Sequence, residues 1–585
     1  MAALLQQAQQ QQAARVRARA SARGGSGTTG GAGSGGLARV VMRSPHAAAW
    51  QCPHGGWING AVRYTARRGR AAASPGAAPA VEDGSALEAA AAEFAAWYAA
   101  RARDRPAELV PRRASGPAGG LRMVTLQPVV KGAPLLAVPR ALLMSADTAR
   151  ASPTCGPLVE KADLDDWQAL VLHLLCERAN PASAWAPYMR LLESADVSHH
   201  PLLWGAGPRA WLAGSPMARV LEARHQQVER DAEALAAAGA NELAIPGGGG
   251  GGGGGGADVR PPLVTRDSVA WAAATLLSRA FSLYLASEPD HSISPMDDFG
   301  SWSWDRAGAD VLALVPWADL LQHSSEAGDA SVLRYDVETE TAFLCAHRDY
   351  GAGEEVCDSY GPGLSPSDTL LDYGFVDAGA ANDRYDAAPA DIARPRGPRN
   401  AALLAALDRL QGEGAMLPLG RSGPDGTGLT LLRASLAGDA ELVRAGWRPR
   451  SAPGDVGLAA RAMGRLSAPE SRATEAALLD ALAAYAAAAA AAYPTTLAED
   501  EAEAAALEAE ARAEGERSGG AAAAPPEARE RHVRLQVLRA LASEKLCLAG
   551  TAAAVARWRA RLEGGAPLDE VYAELGEGSG DDDDE

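Results

Sequence analysis

Two tyrosines, each followed by a glycine, are the residues of this sequence best suited to enclose a reacting group. Tyr360 and Tyr373 lie in Tyr-Gly dipeptides after predicted strands, where the chain can turn and present an aromatic wall. An amine confined between such walls would lose water, which disfavours its charged form, and it would attack from a fixed direction. The pattern therefore suits chemistry on an amine that is almost fully protonated in water. The alternative is that both tyrosines pack in a core, which is the commoner case.

Polar residues on two neighbouring segments could complete such a site. Ser278 and Arg279 lie in a predicted helix, and Asp319, Gln322 and His323 follow a predicted buried strand. Arginine can hold a carboxylate with two parallel hydrogen bonds. The negative charge of Asp319 would suit an incoming cation. Asp319 and His323 could instead belong to a hydrogen-bonded turn after the strand, and from the residues alone that role is the commoner one.

The elements that must position these residues lie between residues 264 and 376. Hydrophobic spacing predicts a helix over Val264–Leu285 and a buried strand over Val311–Val315. Val332–Val337 and Ala342–Ala346 flank a turn and predict a hairpin, and Glu355–Tyr360 predicts a further short strand. The site residues are therefore expected at the ends of small strands and beside one helix.

Helices and one small β unit flank this central stretch. Glycine turns at Gly116–Gly120 and Lys131–Gly132 each lead into a run with strand character. Apolar residues recur at helical spacing at 87–98, 164–175, 216–235, 403–410, 429–436, 478–485 and 533–541. A capping box at Thr496–Glu499 opens an acidic helix that Gly515 is expected to end. The C-terminal part is therefore predicted to be a helical bundle.

Three segments are unusual in amino-acid composition and are not expected to pack in a core. Residues 1–81 contain ten arginines and no acidic residue, and they are rich in Ala, Ser, Gly and Gln. This composition is typical of an organellar transit segment, and the alternative is a disordered tail encoded by GC-rich DNA. The decaglycine at 247–256 predicts a flexible loop, and residues 576–585 predict a solvated acidic tail.

Composition and charge argue against several classes of function. The chain has 585 residues, which suggests two or more domains, and its net charge is -18 with no long Lys/Arg block. Binding of nucleic acid is therefore not expected. No apolar run reaches the roughly 18 residues of a membrane span, so none is expected. The six cysteines contain no C-x-x-C pair and the ten histidines show no ligand spacing, so no metal site is expected.

Motifs spread over most of the chain carry a resemblance to one family. Outside the central stretch they are Gly120-Leu121, Lys131-Gly132 to Pro139, Glu177-Arg178, Trp185-Ala-Pro187-Tyr188, Pro201-Leu-Leu-Trp204, Gly214-Ser-Pro216, Tyr493-Pro-Thr-Thr496-Leu-Ala-Glu-Asp500 and Glu544-Lys545. Together with Arg279, Gln322-His323 and Ser359-Tyr360-Gly361, they resemble SET-domain protein-lysine methyltransferases of the Rubisco large-subunit methyltransferase type. The resemblance covers about residues 85 to 565. Each motif alone is weak, and the combination is specific.

The resemblance implies a set of site residues. Tyr360 would be the catalytic tyrosine, and Tyr373 would line the channel for the target lysine. Further contacts to the substrate would come from Ser278, Phe281 and Asp319. Contacts to the cofactor, S-adenosyl-L-methionine, would come from Gly120, Leu121, Arg279, Gln322 and His323. No metal is implied.

Two departures keep alternatives open. The family motif reads Asn-His where this chain has Gln322-His323, and the longer glutamine could miss one of the hydrogen bonds of asparagine. The chain could therefore be a catalytically weak SET-fold module that binds a protein partner. A related branch methylates histidine in actin, and it has Asn and Trp where this chain has Phe281 and Ala318. The apolar Phe281 and the small Ala318 suit an aliphatic lysine side chain better.

The resemblance also implies the domain plan and the setting. An α+β SET domain over 85–378, with small β-sheets, a knotted-type C-terminal segment and a helical insert, would precede an all-α substrate-binding domain over 379–575. A protein substrate would dock on the helical domain. If residues 1–81 direct the chain to the chloroplast stroma, the implied substrates are the Rubisco large subunit or fructose-bisphosphate aldolase. The mitochondrion and the cytoplasm are the alternative locations.

Overall fold

A computed structural model of the chain describes the parts that pack together. The described residues are 86–102, 109–113, 121–195, 197–246, 261–285, 309–325, 333–336, 339–361, 363–377, 382–411, 416–448, 450–451, 454–518 and 526–573. The predicted transit segment, Gly120, the decaglycine loop and the acidic tail lie outside these residues.

Small sheets contain the described strands. In chain order these are β1 (Leu109–Arg113), β2 (Leu121–Thr125), β3 (Pro134–Pro139), β4 (Met144–Ser145), β5 (Ala280–Leu285), β6 (Ala309–Leu314), β7 (Gln322–His323), β8 (Arg334–Asp336), β9 (Thr341–Cys345), β10 (Glu355–Asp358), β11 (Tyr385–Ala387), β12 (Leu417–Gly420) and β13 (Gly423–Pro424). The sheet orders are β1-β2-β10-β7, β3-β9-β8, β4-β6-β5 and β11-β12-β13. The pairing of β7 with β10 is parallel, which brings the ends of two distant segments side by side.

Helices pack around these sheets and dominate the C-terminal part. In chain order the described helices are α1 (Ala86–Arg101), α2 (Ala146–Ala151), α3 (Gly156–Lys161), α4 (Asp166–Ala179), α5 (Ala186–Ser194), α6 (Ala206–Ala210), α7 (Pro216–Ala238), α8 (Arg266–Arg279), α9 (Pro366–Tyr373), α10 (Pro389–Ile392), α11 (Pro398–Gln411), α12 (Gly426–Leu436), α13 (Asp439–Arg444), α14 (Val456–Leu466), α15 (Arg472–Ala492), α16 (Leu497–Ser518) and α17 (Pro526–Glu563). The fold is α+β, as predicted. The C-terminal part, predicted to be all-α, is mostly helical and also contains the small β11–β13 sheet.

The helix predicted over Val264–Leu285 is wrong in its last six residues. α8 ends at Arg279, and β5 then pairs antiparallel with β6 along its whole length. A short apolar run suits a buried strand as well as a helix, and here a partner strand from farther along the chain decides between them. Because the helix ends at Arg279, Ser278 and Arg279 lie at a helix end and Phe281 lies in a strand.

The predicted start of the acidic helix is confirmed, whereas its predicted end is wrong. The backbone N–H of Thr496 donates to Glu499 Oε2 at 2.8 Å, and the Glu499 N–H donates to Thr496 Oγ1 at 3.3 Å. α16 then continues past Gly515 to Ser518. A glycine costs a helix only about 1 kcal/mol relative to alanine, so packing against a neighbour can override it. α16 packs along α17 here.

One hydrophobic core runs through the N-terminal and the C-terminal parts of the chain. It includes Phe94 and Leu136 from the first part and Leu478 and Trp558 from the second. A second, smaller core around Trp447 joins α11, α12, α13 and α14. The main core therefore crosses the domain boundary predicted between residues 378 and 379.

By length and composition, α15 is apolar enough to cross a membrane, and no other helix in the described part of the chain passes this test. A single helix of this kind is weak evidence for a membrane span. Leu478 and Leu479 of α15 are buried in the main core. Glu475, near its start, forms a buried ion pair with Arg433. Packing within the protein buries these leucines, whereas only 28% of the apolar window of α15 as a whole is buried.

Candidate active site

Ser278 and Arg279 lie at the C-terminal end of α8, immediately before β5. The Ser278 hydroxyl donates to the carbonyl of Ala274 at 2.8 Å, so it is used within the helix. The Arg279 guanidinium leaves the helix, and its Nη1 donates to the backbone carbonyl of Asp319 at 3.0 Å. The helix end is thereby joined to the turn that follows β6.

A strained turn places Asp319 beside Arg279. Trp317 has a φ of 86°, in the left-handed region that costs a non-glycine residue about 1–3 kcal/mol. Its ring stacks on Tyr98, with centroids 4.5 Å apart and planes 3° apart, and it also packs on Phe94. Because both partners belong to α1, this first helix helps to hold the turn that carries Asp319.

The carboxylate of Asp319 connects Arg279 with Tyr188. Its Oδ2 accepts a hydrogen bond from the Tyr188 hydroxyl at 2.6 Å and lies 3.8 Å from Arg279 Nη1. The side chain is fully buried, and its Oδ1 has no hydrogen-bond partner among the residues that the structure describes. A buried acceptor without a partner is unfavourable, so this oxygen is suited to accept a hydrogen bond from a bound group.

Burial has the largest effect on the pKa values of Asp319 and Tyr188. It raises the pKa of Asp319, while Arg279 and the Tyr188 hydroxyl act in the opposite direction. It also raises the pKa of Tyr188 well above the usual value for tyrosine, and the neighbouring Asp319 adds to this effect. Tyr188 is therefore a neutral hydrogen-bond donor at physiological pH.

The parallel pairing of β7 with β10 brings His323 next to Tyr360. Asp358 pairs with His323 in this register, and Tyr360 follows two residues later. His323 Nδ1 accepts a hydrogen bond from the Tyr360 backbone N–H at 3.2 Å, while Nε2 lies 3.5 Å from Asp377 Oδ2. Because Nδ1 is the acceptor, the proton of the neutral ring is on Nε2. Burial lowers the pKa of His323 against the influence of Asp377, which favours this neutral form.

The side chain of Gln322 contacts the backbone of β2. Its Nε2 donates to the carbonyl of Leu121 at 2.8 Å and lies 3.5 Å from the carbonyl of Leu320. Two residues expected to contact the cofactor, Gln322 and Leu121, are thus directly connected. The longer side chain of glutamine, compared with asparagine, is used to join β7 to the start of β2.

Tyr360, Tyr373 and Phe375 form an aromatic cluster beside His323. The prediction that Tyr373 follows a strand is wrong, because Tyr373 is the last residue of α9 and Gly374 caps that helix. The ring centroids of Tyr360 and Tyr373 are 4.6 Å apart, and that of Phe375 lies 6.3 Å from Tyr360 and 6.0 Å from Tyr373. The His323 ring lies 5.1 Å from that of Tyr360. The Tyr360 hydroxyl donates to the carbonyl of Leu321 at 2.7 Å, which fixes its direction.

The aromatic cluster offers neutral, poorly hydrated walls. Burial raises the pKa of both Tyr360 and Tyr373 above the usual value for tyrosine, so both hydroxyls stay protonated at neutral pH. An ammonium group brought among these rings would lose hydration, which favours release of its proton. The cluster therefore has the properties needed for chemistry on an amine.

Asp358 is a buried acid that the sequence did not single out. Burial raises its pKa to about 7, and its Oδ1 has no hydrogen-bond partner among the described residues. The residue is two positions before Tyr360, and its charge contributes to the raised pKa values of both cluster tyrosines. The protonation of Asp358 therefore changes near neutral pH next to the candidate site.

The other predicted site residues are less closely tied to the cluster. Phe281 lies in β5 opposite Ala313 and packs against the main core, and the ring contacts described for the cluster do not involve it. Leu121 is buried at the start of β2. No group of three or more His, Cys, Asp or Glu side chains in the described segments is placed to hold a metal ion.

Besides Asp358, three residues of the site were missed in the sequence. Phe375 follows Tyr373 by two positions, and this short aromatic repeat was a usable signal. Asp377 follows two positions later and could have been noted in the same way. Tyr188 is 131 residues from Asp319, and no local pattern connects them.

Known proteins share this architecture. Residues 435–546 match the family model described as Rubisco LSMT substrate-binding. Two curated relatives are the chloroplastic Rubisco large subunit N-methyltransferase of Pisum sativum, 25% identical over 285 residues, and the chloroplastic [fructose-bisphosphate aldolase]-lysine N-methyltransferase of Arabidopsis thaliana, 24% identical over 276 residues. These matches cover 47% and 46% of this chain and 49% and 48% of the relatives. The chain thus spans about half the length of the curated relatives it matches.

Solved structures give the fold more completely. The crystal structure of the SET domain of LSMT bound to lysine and AdoHcy matches with a TM-score of 0.57 and 20% identity, over 85% of this chain and 97% of that chain. The chain therefore has the fold of a SET domain joined to a mostly helical C-terminal domain. More particularly, this is the fold of Rubisco large-subunit methyltransferase, and residues 435–546 match the Rubisco LSMT substrate-binding family.

Proposed function

We propose that this chain is an S-adenosylmethionine-dependent protein-lysine N-methyltransferase. The observation that carries the proposal is the aromatic cluster of Tyr360, Tyr373 and Phe375 within a SET fold. The matched SET domain holds lysine and AdoHcy, which supports both the reacting side chain and the methyl donor. The names of the two plant relatives support the same class of reaction.

The residues beside the cluster fit a ligand that carries an amino-acid group. Arg279 presents a planar guanidinium suited to a carboxylate, and its direction is set by the Asp319 carbonyl. The unpartnered Oδ1 of Asp319 suits an ammonium group. We assign binding of S-adenosylmethionine to Arg279, Gln322, His323 and Leu121. When bound, this molecule supplies an electrophilic methyl group on a sulfonium centre.

The chain's own residues would prepare the target amine. Tyr360 and Tyr373 exclude water from it, which favours the free base whose lone pair attacks. The hydrogen bond from Tyr360 to Leu321 holds the catalytic phenol in one direction. Ser278 would contribute its backbone carbonyl, because the hydroxyl is used inside α8 and carbonyls in the last helical turn lack partners.

The substrate is proposed to be a plastid protein, with the Rubisco large subunit and fructose-bisphosphate aldolase as the two candidates. The names of the relatives and the basic, acid-free composition of residues 1–81 support this setting. The substrate protein would dock on the C-terminal domain, which the match to the substrate-binding family supports.

Calorimetric titration of S-adenosylmethionine into the protein tests the proposal first. Dissociation constants in the micromolar range are expected for the native chain, and Arg279→Ala should weaken binding by about 10-fold or more, since it removes a charge-assisted contact. Arg266→Ala is the matched control, because Arg266 lies at the other end of the same helix. It should bind like the native chain.

Transfer of labelled methyl groups to recombinant, unmethylated Rubisco large subunit and aldolase tests the reaction itself. Mass spectrometry of the labelled peptide is expected to place the methyl group on lysine. Label on histidine would replace the lysine assignment with the histidine alternative. A folded chain that binds no cofactor and transfers no label would instead be a protein-binding module.

A further inference from the structure

The segment that carries two of the three cluster rings makes a sharp turn. Tyr373 is the last residue of α9, and Gly374 follows with a φ of 80°, which favours glycine. Phe375 and Val376 then continue beyond the helix. The positions of the two rings therefore depend on what holds this turn in place.

One side of the turn is held by the N-terminal part of the chain. Arg224 of α7 donates to the carbonyl of Leu371 at 2.7 Å and forms an ion pair with Asp372. His200 Nε2 donates to the carbonyl of Asp372 at 3.1 Å, since its Nδ1 accepts from a backbone N–H. These contacts fix the last turn of α9 before Tyr373.

The other side of the turn is held by the C-terminal domain. The backbone N–H of Val376 donates to Oε1 of Gln536 at 2.8 Å, and this hydrogen bond is buried. Gln536 lies on α17 within residues 435–546, the part that matches the substrate-binding family, and it is 4% exposed. A buried backbone N–H needs a partner, so Gln536 fixes the chain one residue beyond Phe375.

A second buried contact keeps α9 aligned along α17. The hydroxyl of Ser367, near the start of α9, donates to Oε1 of Glu544 at 2.9 Å. Oε2 of Glu544 accepts from the Tyr493 hydroxyl at 2.7 Å. Because Ser367 contacts position 544 and Val376, just beyond α9, contacts position 536, α9 and the turn after it run antiparallel to α17.

We propose that Gln536 is a positioning residue for the target amine: from the substrate-binding domain it sets the place of Phe375 and Tyr373 in the aromatic cluster. This inference rests on the proposed methyltransferase function. It means that the C-terminal domain forms part of the support of the cluster as well as a docking surface. On the cofactor side, His323 of β7 reaches Phe375 and Asp377 of this segment, whereas Arg279 is held by the Asp319 carbonyl, so only a small effect of Gln536 on cofactor binding is expected.

Gln536→Met tests this role, because methionine keeps the length and volume of glutamine and removes the acceptor. Amide hydrogen exchange of a peptide covering 371–377 is expected to be roughly 5- to 100-fold faster than in the native chain, as follows from an unpaired buried donor. The turnover number for methyl transfer should fall by a similar factor. The dissociation constant for S-adenosylmethionine should change by less than about twofold.

Two further variants separate positioning from general loss of stability. Gln227→Met removes a half-buried side-chain hydrogen bond to Asp231 within α7, and it should leave exchange of 371–377 and turnover unchanged. Gln536→Glu keeps an acceptor oxygen at the same distance from the backbone and should restore protection of 371–377 and much of the turnover.

The possible results are distinct. Native exchange of 371–377 and native turnover in folded Gln536→Met would overturn the proposal, and so would loss of turnover that Gln536→Glu fails to recover. If the native chain binds no S-adenosylmethionine and transfers no label, the proposed function fails and the inference about the target amine falls with it. The exchange data would still show separately whether Gln536 holds the segment.

Discussion

The hydroxyl of Tyr360 is the single group on which the proposed reaction most depends. Tyr360→Phe keeps the ring contacts with Tyr373 and Phe375 and loses the hydrogen bond to the Leu321 carbonyl. Turnover is expected to fall by about 100-fold or more, while affinity for S-adenosylmethionine stays within about twofold. Labelled methyl transfer and calorimetry measure the two quantities. Equal turnover would remove Tyr360 from the mechanism.

Tyr188 is expected to act on the cofactor through Asp319 and Arg279. Tyr188→Phe removes the donor to Asp319 Oδ2, so the buried carboxylate is less stable as an anion and holds the guanidinium less firmly. Affinity for S-adenosylmethionine should fall by roughly 10- to 100-fold at most, the value of one hydrogen bond to a charged group. Calorimetric titration measures this change.

Tyr98→Phe provides the matched control for that measurement. Tyr98 is equally buried, and its hydroxyl donates to the carbonyl of Ala137 at 2.9 Å. The phenylalanine ring keeps the stacking on Trp317, so loss of the hydroxyl should lower stability and leave cofactor affinity near the native value. A similar loss of affinity in both variants would mean that Tyr188 acts through general stability.

Asp358 should give the folded chain a pH dependence that asparagine removes. Burial raises its pKa to about 7, whereas an exposed aspartate has a pKa near 3.9. Between these values the folded chain keeps a proton that the unfolded chain has released, so this group lowers stability as the pH rises from about 4 to about 7. In Asp358→Asn, the unfolding free energy relative to the native chain should therefore increase between pH 5 and pH 8.

The expected increase is on the order of 2 kcal/mol, and denaturant unfolding of both chains at the two pH values measures it. Other titrating groups are common to both chains, and their contributions cancel in the difference. Glu160→Gln changes an exposed acid on α3 and should show no comparable increase. The same advantage for Asp358→Asn at both pH values would contradict a raised pKa.

At the scale of single elements, the sequence predicted correctly those features that depend on residues a few positions apart. Capping residues and apolar spacing located helix starts such as that of α16, because a cap acts over three residues. The change from α8 to β5 at Arg279 could not be predicted, since it depends on pairing with β6. The same holds for the site: Tyr360 and Tyr373 stood out by sequence, whereas the bond from Tyr188 to Asp319 spans 131 residues.

The end of α9 is the element whose geometry matters most to the aromatic cluster. In Gly374→Ala the added Cβ would lie 2.7 Å from His199 Cδ2 and 2.8 Å from the His199 carbonyl oxygen, at a φ of 80°. Strain and crowding together should lower the unfolding free energy by about 2 kcal/mol or more, and the displaced rings should lower turnover. Denaturant unfolding and methyl transfer measure the two effects.

Gly353→Ala separates strain from crowding. Gly353 also has a left-handed φ, of 76°, and no atom lies within 4 Å of the position of an added Cβ. Only the strain of roughly 1–2 kcal/mol is expected there, with native turnover. Equal effects of the two substitutions on turnover would show that the turn after Tyr373 does not set the cluster.

At the scale of the whole molecule, the sequence indicated two functional parts and could not show that they share one core. Leucine spacing predicts helices on both sides of residue 378, and spacing within a helix does not identify its packing partner. In the structure, α17 packs against α9 as well as against α15 and α16. The SET part is therefore supported by a helix that begins about 150 residues later in the chain.

A chain ending at residue 378 is expected not to fold into a stable SET domain. This shorter chain lacks α17. Apolar residues of the shared core would then be exposed, and the Val376 N–H and the Ser367 hydroxyl would lose their partners. The expected result is loss of a cooperative unfolding transition, measured by thermal melting, and loss of cofactor binding, measured by calorimetry. A chain ending at residue 573 keeps every described element and should behave like the full chain. If the shorter chain melts cooperatively and binds S-adenosylmethionine with native affinity, the two parts are independent, and α17 serves only the substrate side.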